Sequence, residues 1–186
     1  MSEYVELHCH SNFSFQEGAS TIEELVGRAA ELGYPALALT DHDNLCGAMH
    51  FAQVARSLDV QPITGAEVTL QGGGHLTLLA SDSTGYANLC GLISRSYIEA
   101  DRRNPELDPK HLPGGSQGLV LLTGCRKGPV PSLVARGRME EAESVLREYA
   151  EWLGPEGVFV ELQQNLVHGD TGRNRRLVEL ARRVDV

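Results

Sequence analysis

The chain has 186 residues, 41% of them hydrophobic and 22% charged, which is enough for one globular domain with its own core. No apolar run approaches the roughly 20 residues of a membrane helix, so a membrane-spanning class is excluded. The net charge is −9, and the excess lies in residues 1–94, which hold eleven acids against Arg28 and Arg56, whereas residues 95–186 hold fourteen of each sign. This argues against a free-standing duplex DNA binder, and an anionic substrate would need the positive charge of a bound metal.

The amino terminus, Met1–Tyr4, lacks the basic and apolar regions of a secretory signal. The cysteines show no C-x-x-C pairing, so we expect a cytoplasmic protein with reduced thiols, of which one is a candidate metal ligand. The four are Cys9, Cys46, Cys90 and Cys125.

Short apolar runs alternate with stretches of helical periodicity along the chain. The predicted strands are Tyr4–His8, Ala36–Thr40, Pro62–Leu70, His75–Ser81, Gly118–Thr123 and Gly157–Leu162. The predicted helices are Ser20–Leu32, Gly47–Leu58, Tyr86–Tyr97, Met139–Leu153 and Arg173–Arg183. Ser20 and Glu23 form a predicted capping box at the start of the first helix, and Gly33 ends it. Residues 102–117, rich in Pro, Gly and charge, are expected to form a long surface connection.

Alternation of this kind predicts an α/β fold with a parallel sheet, either open or closed as a barrel, and one domain over residues 1–186. In both forms the chemistry collects at the carboxyl ends of the strands. His75 stands at the start of its strand, which does not suit a purely parallel layout. The three glycines 72–74 predict a hairpin instead, which would bring His75 back near Glu67.

His8 and His10 follow the first predicted strand. Residues two apart in an extended chain point to the same side, so both imidazoles face one spot. Neutral imidazole is a common ligand of divalent transition metals. Two solvated surface histidines are the alternative interpretation.

Further ligand types recur near the other strands: His42 between two aspartates, Glu67 within an apolar strand, His75, and Cys125 after the fifth strand. His42 could also belong to a helix-entry capping loop, and a lone cysteine is more often a small buried apolar residue. Glu67 is harder to explain without a partner, because an unpaired buried carboxylate is costly.

His50, His111 and His168 have no second ligand spaced for them, and we assign them no functional role.

Several ordered motifs resemble the PHP (polymerase and histidinol phosphatase) domain family. They are His8-x-His10, Asp41-His42, Gly65-x-Glu67, His75 and Thr123-Gly124-Cys125. The runs Glu6–Ser11, Phe15–Ser20, Ala29–His42 and Gly85–Cys90 are similar to bacterial DNA polymerase III alpha subunits of the error-prone branch. The resemblance covers essentially the whole chain.

The resemblance implies a distorted (β/α)7 barrel with up to three divalent metals at its carboxyl face, zinc before manganese or iron. The implied metal ligands are His8, His10, Glu17, His42, Glu67, His75 and Cys125. Among them His10, Glu67 and His42 are the implied catalytic residues. Arg126 and Lys127 are either phosphate contacts or ordinary solvated loop charges.

Two departures from the family pattern affect these expectations. Glu17 stands where the polymerases usually have Asp, so a metal there is expected to be displaced or weaker. The family also ends on an Asp-x-His motif in a last strand, and this sequence stops at Val184–Val186 without it. We therefore expect a carboxy-terminally incomplete barrel, a partly filled site, and self-association through an edge beside Gly118–Thr123 or Tyr4–His8.

The resemblance implies a metal-dependent phosphoesterase domain, with 3′–5′ exonuclease or other phosphodiester hydrolysis as its reaction. Its partners would be the polymerase domains of a parent chain, with DNA bound only in that context and no membrane. Two alternatives stay open: a non-catalytic structural scaffold of the polymerase, and a stand-alone small-molecule phosphatase.

Overall fold

A five-stranded mixed sheet, with its strands side by side in chain order, is the centre of the fold in the computed structural model. The structure describes residues 4–101 and 103–186, so Met1–Glu3 of the predicted amino terminus and Arg102 of the predicted connection lie outside it. The strands are β1 (Ala36–Leu39), β2 (Gln61–Thr69), β3 (His75–Ala80), β4 (Leu119–Leu122) and β5 (Val158–Phe159).

Seven helices pack around this sheet in the described part of the chain. They are α1 (Ile22–Glu31), α2 (Ala48–Ser57), α3 (Ser83–Glu99), α4 (Leu112–Gly115), α5 (Pro129–Ala135), α6 (Met139–Leu153) and α7 (Asp170–Val184). Two 3-10 turns, Pro109–His111 and Pro155–Gly157, complete the order. The short helices α4 and α5 were not predicted. No helix among these residues is long and apolar enough to cross a membrane.

The predicted hairpin is confirmed. β2 and β3 pair antiparallel, with Thr69 opposite His75 and Glu67 opposite Thr77. Gly72, Gly73 and Gly74 all have positive φ, a conformation that glycine adopts without strain. β3 and β4 are also antiparallel, whereas β1–β2 and β4–β5 are parallel, so the sheet is mixed rather than parallel throughout.

The first predicted strand is wrong in extent. Glu6 makes one parallel bridge to Leu37, and no longer ladder forms among the described residues. Side chains replace the missing ladder bonds: the His8 amide donates to the Glu6 carboxylate at 3.1 Å, and the Cys9 amide to Thr40 Oγ1 at 3.0 Å. The segment still lies beside β1, because the Thr40 amide donates to the Cys9 carbonyl at 2.9 Å.

Three other expectations need correction. The first helix starts at Ile22 and its capping box lies one residue later than predicted, because Thr21 Oγ1 accepts from the Glu24 amide at 3.3 Å and the Glu24 carboxylate accepts from the Thr21 amide at 2.9 Å. The last strand shortens to Val158–Phe159, since the Glu161 amide donates to a side chain, Thr123 Oγ1, instead of a ladder carbonyl. The predicted surface connection is partly core, because Leu107 and Leu112 are each 1% exposed.

Three apolar clusters pack against the sheet, of which the smallest is formed by Ala38, Leu79 and Leu122 on the strands themselves. The largest lies between β2, β3 and β4 and helices α3, α5, α6 and α7, and the second joins α1 and α2 to β1. Gly118–Thr123 is not an edge, because β4 is paired on both sides. A cleft of about 620 Å³ lies instead between residues 4–8 and residues 159–165.

Candidate metal centre

Glu67 is the centre of the site. Its strand, β2, carries the carboxylate into a region where it is only 3% exposed. Four imidazole nitrogens surround it at 3.4 to 3.6 Å: His8 Nε2 at Oε1, and His10 Nε2, His42 Nδ1 and His75 Nδ1 at Oε2. A carboxylate at this depth is tolerated only with compensating donors or positive charge. The histidines supply that compensation.

The four histidines reach Glu67 from three parts of the fold. His8 and His10 project from the extended segment beside β1, with ring centroids 5.3 Å apart. His42 follows β1 and forms a parallel bridge with Glu67 itself. His75 begins β3, and the hairpin returns it to the same face. The site therefore depends on strand pairing that joins distant parts of the chain.

Two groups of ligand atoms share Glu67. His8, His10 and Glu67 form one, and His42, Glu67 and His75 form the other, with the atoms of each within 4.8 Å of one another. Imidazole and carboxylate together suit zinc, manganese or iron. Glu67 Oε1 and His75 Nδ1 are buried without a hydrogen-bond partner in the described part of the protein. Buried polar atoms rarely stay unpaired, so a divalent cation fits the donor set.

Glu17 and Cys125 lie at the margin of this centre. Glu17 Oε2 is 2.6 Å from His42 Nδ1 and 3.8 Å from His10 Nδ1, so the longer side chain does reach the site. Cys125 is half-buried and accepts from the Lys127 amide at 3.4 Å. It belongs to neither ligand-atom group, although it lies close enough to Glu67 for that carboxylate to affect its pKa.

The two basic residues that are candidate phosphate contacts differ in their surroundings. Arg126 and Lys127 are both exposed. Lys127 Nζ lies 3.5 Å from Glu17 Oε1, so its charge is directed towards an acid of the site. Exposed pairs of this kind contribute little energy, so Lys127 can exchange partners readily.

The three histidines without an assigned role stay outside both ligand-atom groups. His50 pairs with Glu23 at 2.7 Å and His111 with Glu99 at 2.7 Å, and His168 is exposed. None of the three takes part in either group.

Sequence reasoning did not assign three acidic residues that support the centre. Asp41 is 2% exposed and accepts from the Ser11 amide, Ser11 Oγ and Ser14 Oγ at 2.8, 2.7 and 2.6 Å. Asp43 Oδ2 lies 3.2 Å from His42 Nε2, and Glu161 Oε1 lies 2.8 Å from His8 Nδ1. Position next to His42 was a usable signal for the two aspartates, and Glu161 stood near the carboxyl end of the predicted strand Gly157–Leu162.

The ring charges follow from these contacts. Burial would lower the pKa of His8, but its contacts with the Glu161 and Glu67 carboxylates raise that pKa to about 10. The Asp43 contact raises the pKa of His42 to about 9, against the effect of burial. Burial, together with the positive charge of His8, lowers the pKa of His10.

The acids and the thiol respond to the same neighbours. Burial opposes ionisation of Glu67, but contacts with His75 and His8 outweigh it and hold its pKa below the usual range. A hydrogen bond from His42 lowers the pKa of Glu17. Burial and the negative charge of Glu67 raise the pKa of the Cys125 thiol to about 11.

Comparisons with known proteins agree with this geometry. The family profile of the PHP domain matches residues 6–165. The chain therefore belongs to the PHP domain family, as the sequence motifs indicated.

Its relatives are DNA polymerases. The chain is 43% identical to the error-prone DNA polymerase of Symbiobacterium thermophilum, over 95% of this chain and 18% of that protein. It is 36% identical to the DNA polymerase III subunit alpha of Treponema pallidum, over 98% of this chain and 17% of that protein. The chain thus spans less than a fifth of the length of these relatives.

Solved structures share the fold, and one of them is a Bifidobacterium adolescentis protein described as a candidate metal-dependent phosphoesterase. The two agree with a TM-score of 0.67 at 14% identity, over 98% of this chain and 84% of that one.

Replacing Asp41 with alanine should destabilise the protein strongly. Three buried donors on Ser11 and Ser14 would lose their acceptor, and we expect a loss of about 3 kcal/mol or more in the free energy of unfolding. Urea unfolding followed by circular dichroism measures this. Glu151→Ala, at an exposed position of α6, is the control and should change stability by less than about 0.5 kcal/mol. Equal stability of the two variants would contradict the prediction.

Chelator-treated protein should lose stability as the pH rises from 6.5 to 8.5. The pKa of His8 is raised from 6.5 to about 10 and that of His42 to about 9, so both rings stay protonated after the unfolded chain has lost those protons. Their contribution is therefore complete below pH 6.5 and declines above it. Urea titrations at several pH values measure the trend. A His8→Gln/His42→Gln variant should flatten it and His50→Gln should not; stability that is flat in the parent chain refutes the assignment.

Proposed function

We propose that this chain is a metal-dependent phosphoesterase domain of an error-prone DNA polymerase III alpha-type protein. The observation that carries the proposal is the buried Glu67 carboxylate, which is shared by two groups of histidine ligands. A purely structural ion-pair cluster explains it less well, because two buried polar atoms of the cluster have no hydrogen bond among the described residues.

The residues that would hold metal are His8, His10, Glu17, His42, Glu67, His75 and Cys125. The mixture of nitrogen, oxygen and sulfur donors favours zinc, with manganese or iron as alternatives and up to three ions in a complete site. Bound metal would polarise a phosphoryl oxygen and supply hydroxide near neutral pH. His10, Glu67 and His42 are the proposed catalytic residues, since Glu67 belongs to both ligand groups, His10 to one of them and His42 to the other.

The chain's own residues would shape the substrate site around that centre. Glu67 places one oxygen towards His8 and the other towards His10, His42 and His75, which fixes the spacing of the two groups. Arg126 and Lys127 lie just beyond Cys125, where a phosphate could replace Glu17 as the partner of Lys127. The excess of acids in residues 1–94 disfavours phosphate elsewhere in that half.

A non-catalytic scaffold is the second candidate. The chain matches less than a fifth of each polymerase relative, so the polymerase domains of a parent chain are the natural partners, and DNA would be bound in their context. A domain kept for structure could retain ligands without turnover. The same relatives disfavour a stand-alone small-molecule phosphatase.

The sheet could also belong to the seven-stranded barrel of the family. Five strands and the Glu6 bridge would form part of that barrel, and the cleft between residues 4–8 and 159–165 would be its gap. Self-association through this gap is the corresponding proposal. A concentration-dependent dimer in sedimentation velocity, weakened by Phe159→Lys at the half-exposed end of β5, would support it.

The purified chain should carry transition metal, chiefly zinc or manganese. Because His8 and His42 must release protons to bind it, metal affinity should rise with pH. A His8→Ala/His10→Ala variant removes two ligands of one group and should lower occupancy, whereas His50→Ala should not. Elemental analysis of protein reconstituted with metal measures both. Less than about a tenth of an equivalent in the parent chain would refute metal binding.

Hydrolysis separates the two candidate functions. If the domain is catalytic, metal-loaded protein should cleave bis-p-nitrophenyl phosphate or remove 3′ nucleotides from DNA, and His10→Ala should lower the rate at least about tenfold. His111→Ala is the matched control. A fully metal-loaded protein without hydrolysis would favour the scaffold. Primer extension should be absent, because the acidic half offers no template groove.

A further inference from the structure

The two ring nitrogens of His8 have different surroundings. Nε2 lies 3.4 Å from Glu67 Oε1 and 3.3 Å from His10 Nε2, inside the candidate metal centre. Nδ1 lies on the opposite side of the ring, 2.8 Å from Glu161 Oε1 and 3.2 Å from Thr77 Oγ1. His8 therefore connects the centre to a carboxylate that belongs to neither ligand group.

The Glu161 contact determines which nitrogen of His8 carries a proton. A carboxylate only accepts hydrogen bonds, so at 2.8 Å the Nδ1–H must be the donor. In the neutral ring this leaves the lone pair on Nε2, directed at Glu67 and His10. That tautomer is the one able to bind a cation between those residues.

Glu161 is itself held in place. It follows β5, and its amide donates to Thr123 Oγ1 at 3.0 Å at the end of β4. Gln163 Nε2 donates to the same Oε1 at 2.6 Å, and the Glu161 side chain is only 12% exposed. An acceptor fixed by two neighbouring elements can orient a ring without large entropic cost.

We infer that Glu161 is a positioning residue for the metal centre, which fixes the tautomer and orientation of His8 through Nδ1. The inference rests on the proposed metal-binding function. It assigns Glu161 an effect on metal affinity that is exerted through His8 and not by direct ligation.

The test compares zinc affinity in the whole chain for the parent, Glu161→Ala and Glu161→Gln, by competition with a chromophoric chelator. Loss of an outer carboxylate partner typically weakens metal affinity about 10- to 100-fold, and we expect that for Glu161→Ala. Glu161→Gln keeps a carbonyl acceptor for Nδ1–H and should recover most of the loss. Glu156→Ala, which removes an exposed carboxylate from the preceding turn, should bind zinc like the parent.

A spectroscopic measurement separates positioning from a general loss of structure. In zinc-loaded protein labelled with ¹⁵N-histidine, the His8 Nδ1–H should be protected and visible in the parent and in Glu161→Gln. It should exchange rapidly in Glu161→Ala, while the other histidine signals persist.

A double-mutant cycle with His8→Ala separates positioning from ligation. If Glu161 acts through His8, Glu161→Ala should add no further loss of affinity in the His8→Ala background. A further loss there of about tenfold would show direct ligation and overturn the inference. Parent-like zinc affinity of Glu161→Ala would overturn it as well while leaving the proposed function intact. A parent chain that binds no metal would refute the proposed function, and the inference with it.

Discussion

Burial of the Glu67 carboxylate is the constraint on which the site depends. A negative charge that is 3% exposed is stable only where several donors converge on it. Here the donors are four histidines from the amino-terminal segment, the end of β1 and the start of β3. The mixed sheet brings these segments together, because the β2–β3 hairpin reverses the chain and places His75 beside the strand that carries Glu67.

Glu67 and its four histidines are held in position by a surrounding layer of polar groups. Asp41 ties down the loop that leads to Glu17, Asp43 contacts the outer nitrogen of His42, and Glu161 contacts the outer nitrogen of His8. Each carboxylate faces at least one donor, which offsets much of the cost of burial, although Glu161 Oε2 is buried without a hydrogen bond in the described part of the chain. The central strands contribute to the larger apolar cluster, which supplies the stability that this arrangement requires.

The negative charge of the site must be balanced by protons or by a bound cation. Residues 1–94 are strongly acidic, and three of their acids, Glu17, Asp43 and Glu67, contact histidines of the centre. Protonated histidines balance these acids when no metal is bound, and a divalent cation would take over that role by displacing protons.

The fold is retained in a structure of 14% identity, which shows that the arrangement of strands and helices tolerates wide changes in side chains.

Much of the site could be read from local patterns. The spacing of His8 and His10, the acid within the apolar strand around Glu67, and the glycine turn before His75 are each decided by residues close together in sequence. Local reasoning failed where tertiary contacts replaced the expected bonds, as at the shortened first and last strands, whose amides donate to Glu6, Thr40 and Thr123 side chains. The role of Glu161 is the clearest case. It lies 153 residues from His8, and only the pairing of β4 with β5 brings its carboxylate to that ring. No short-range pattern encodes such a contact, because it depends on where the whole sheet places two distant segments.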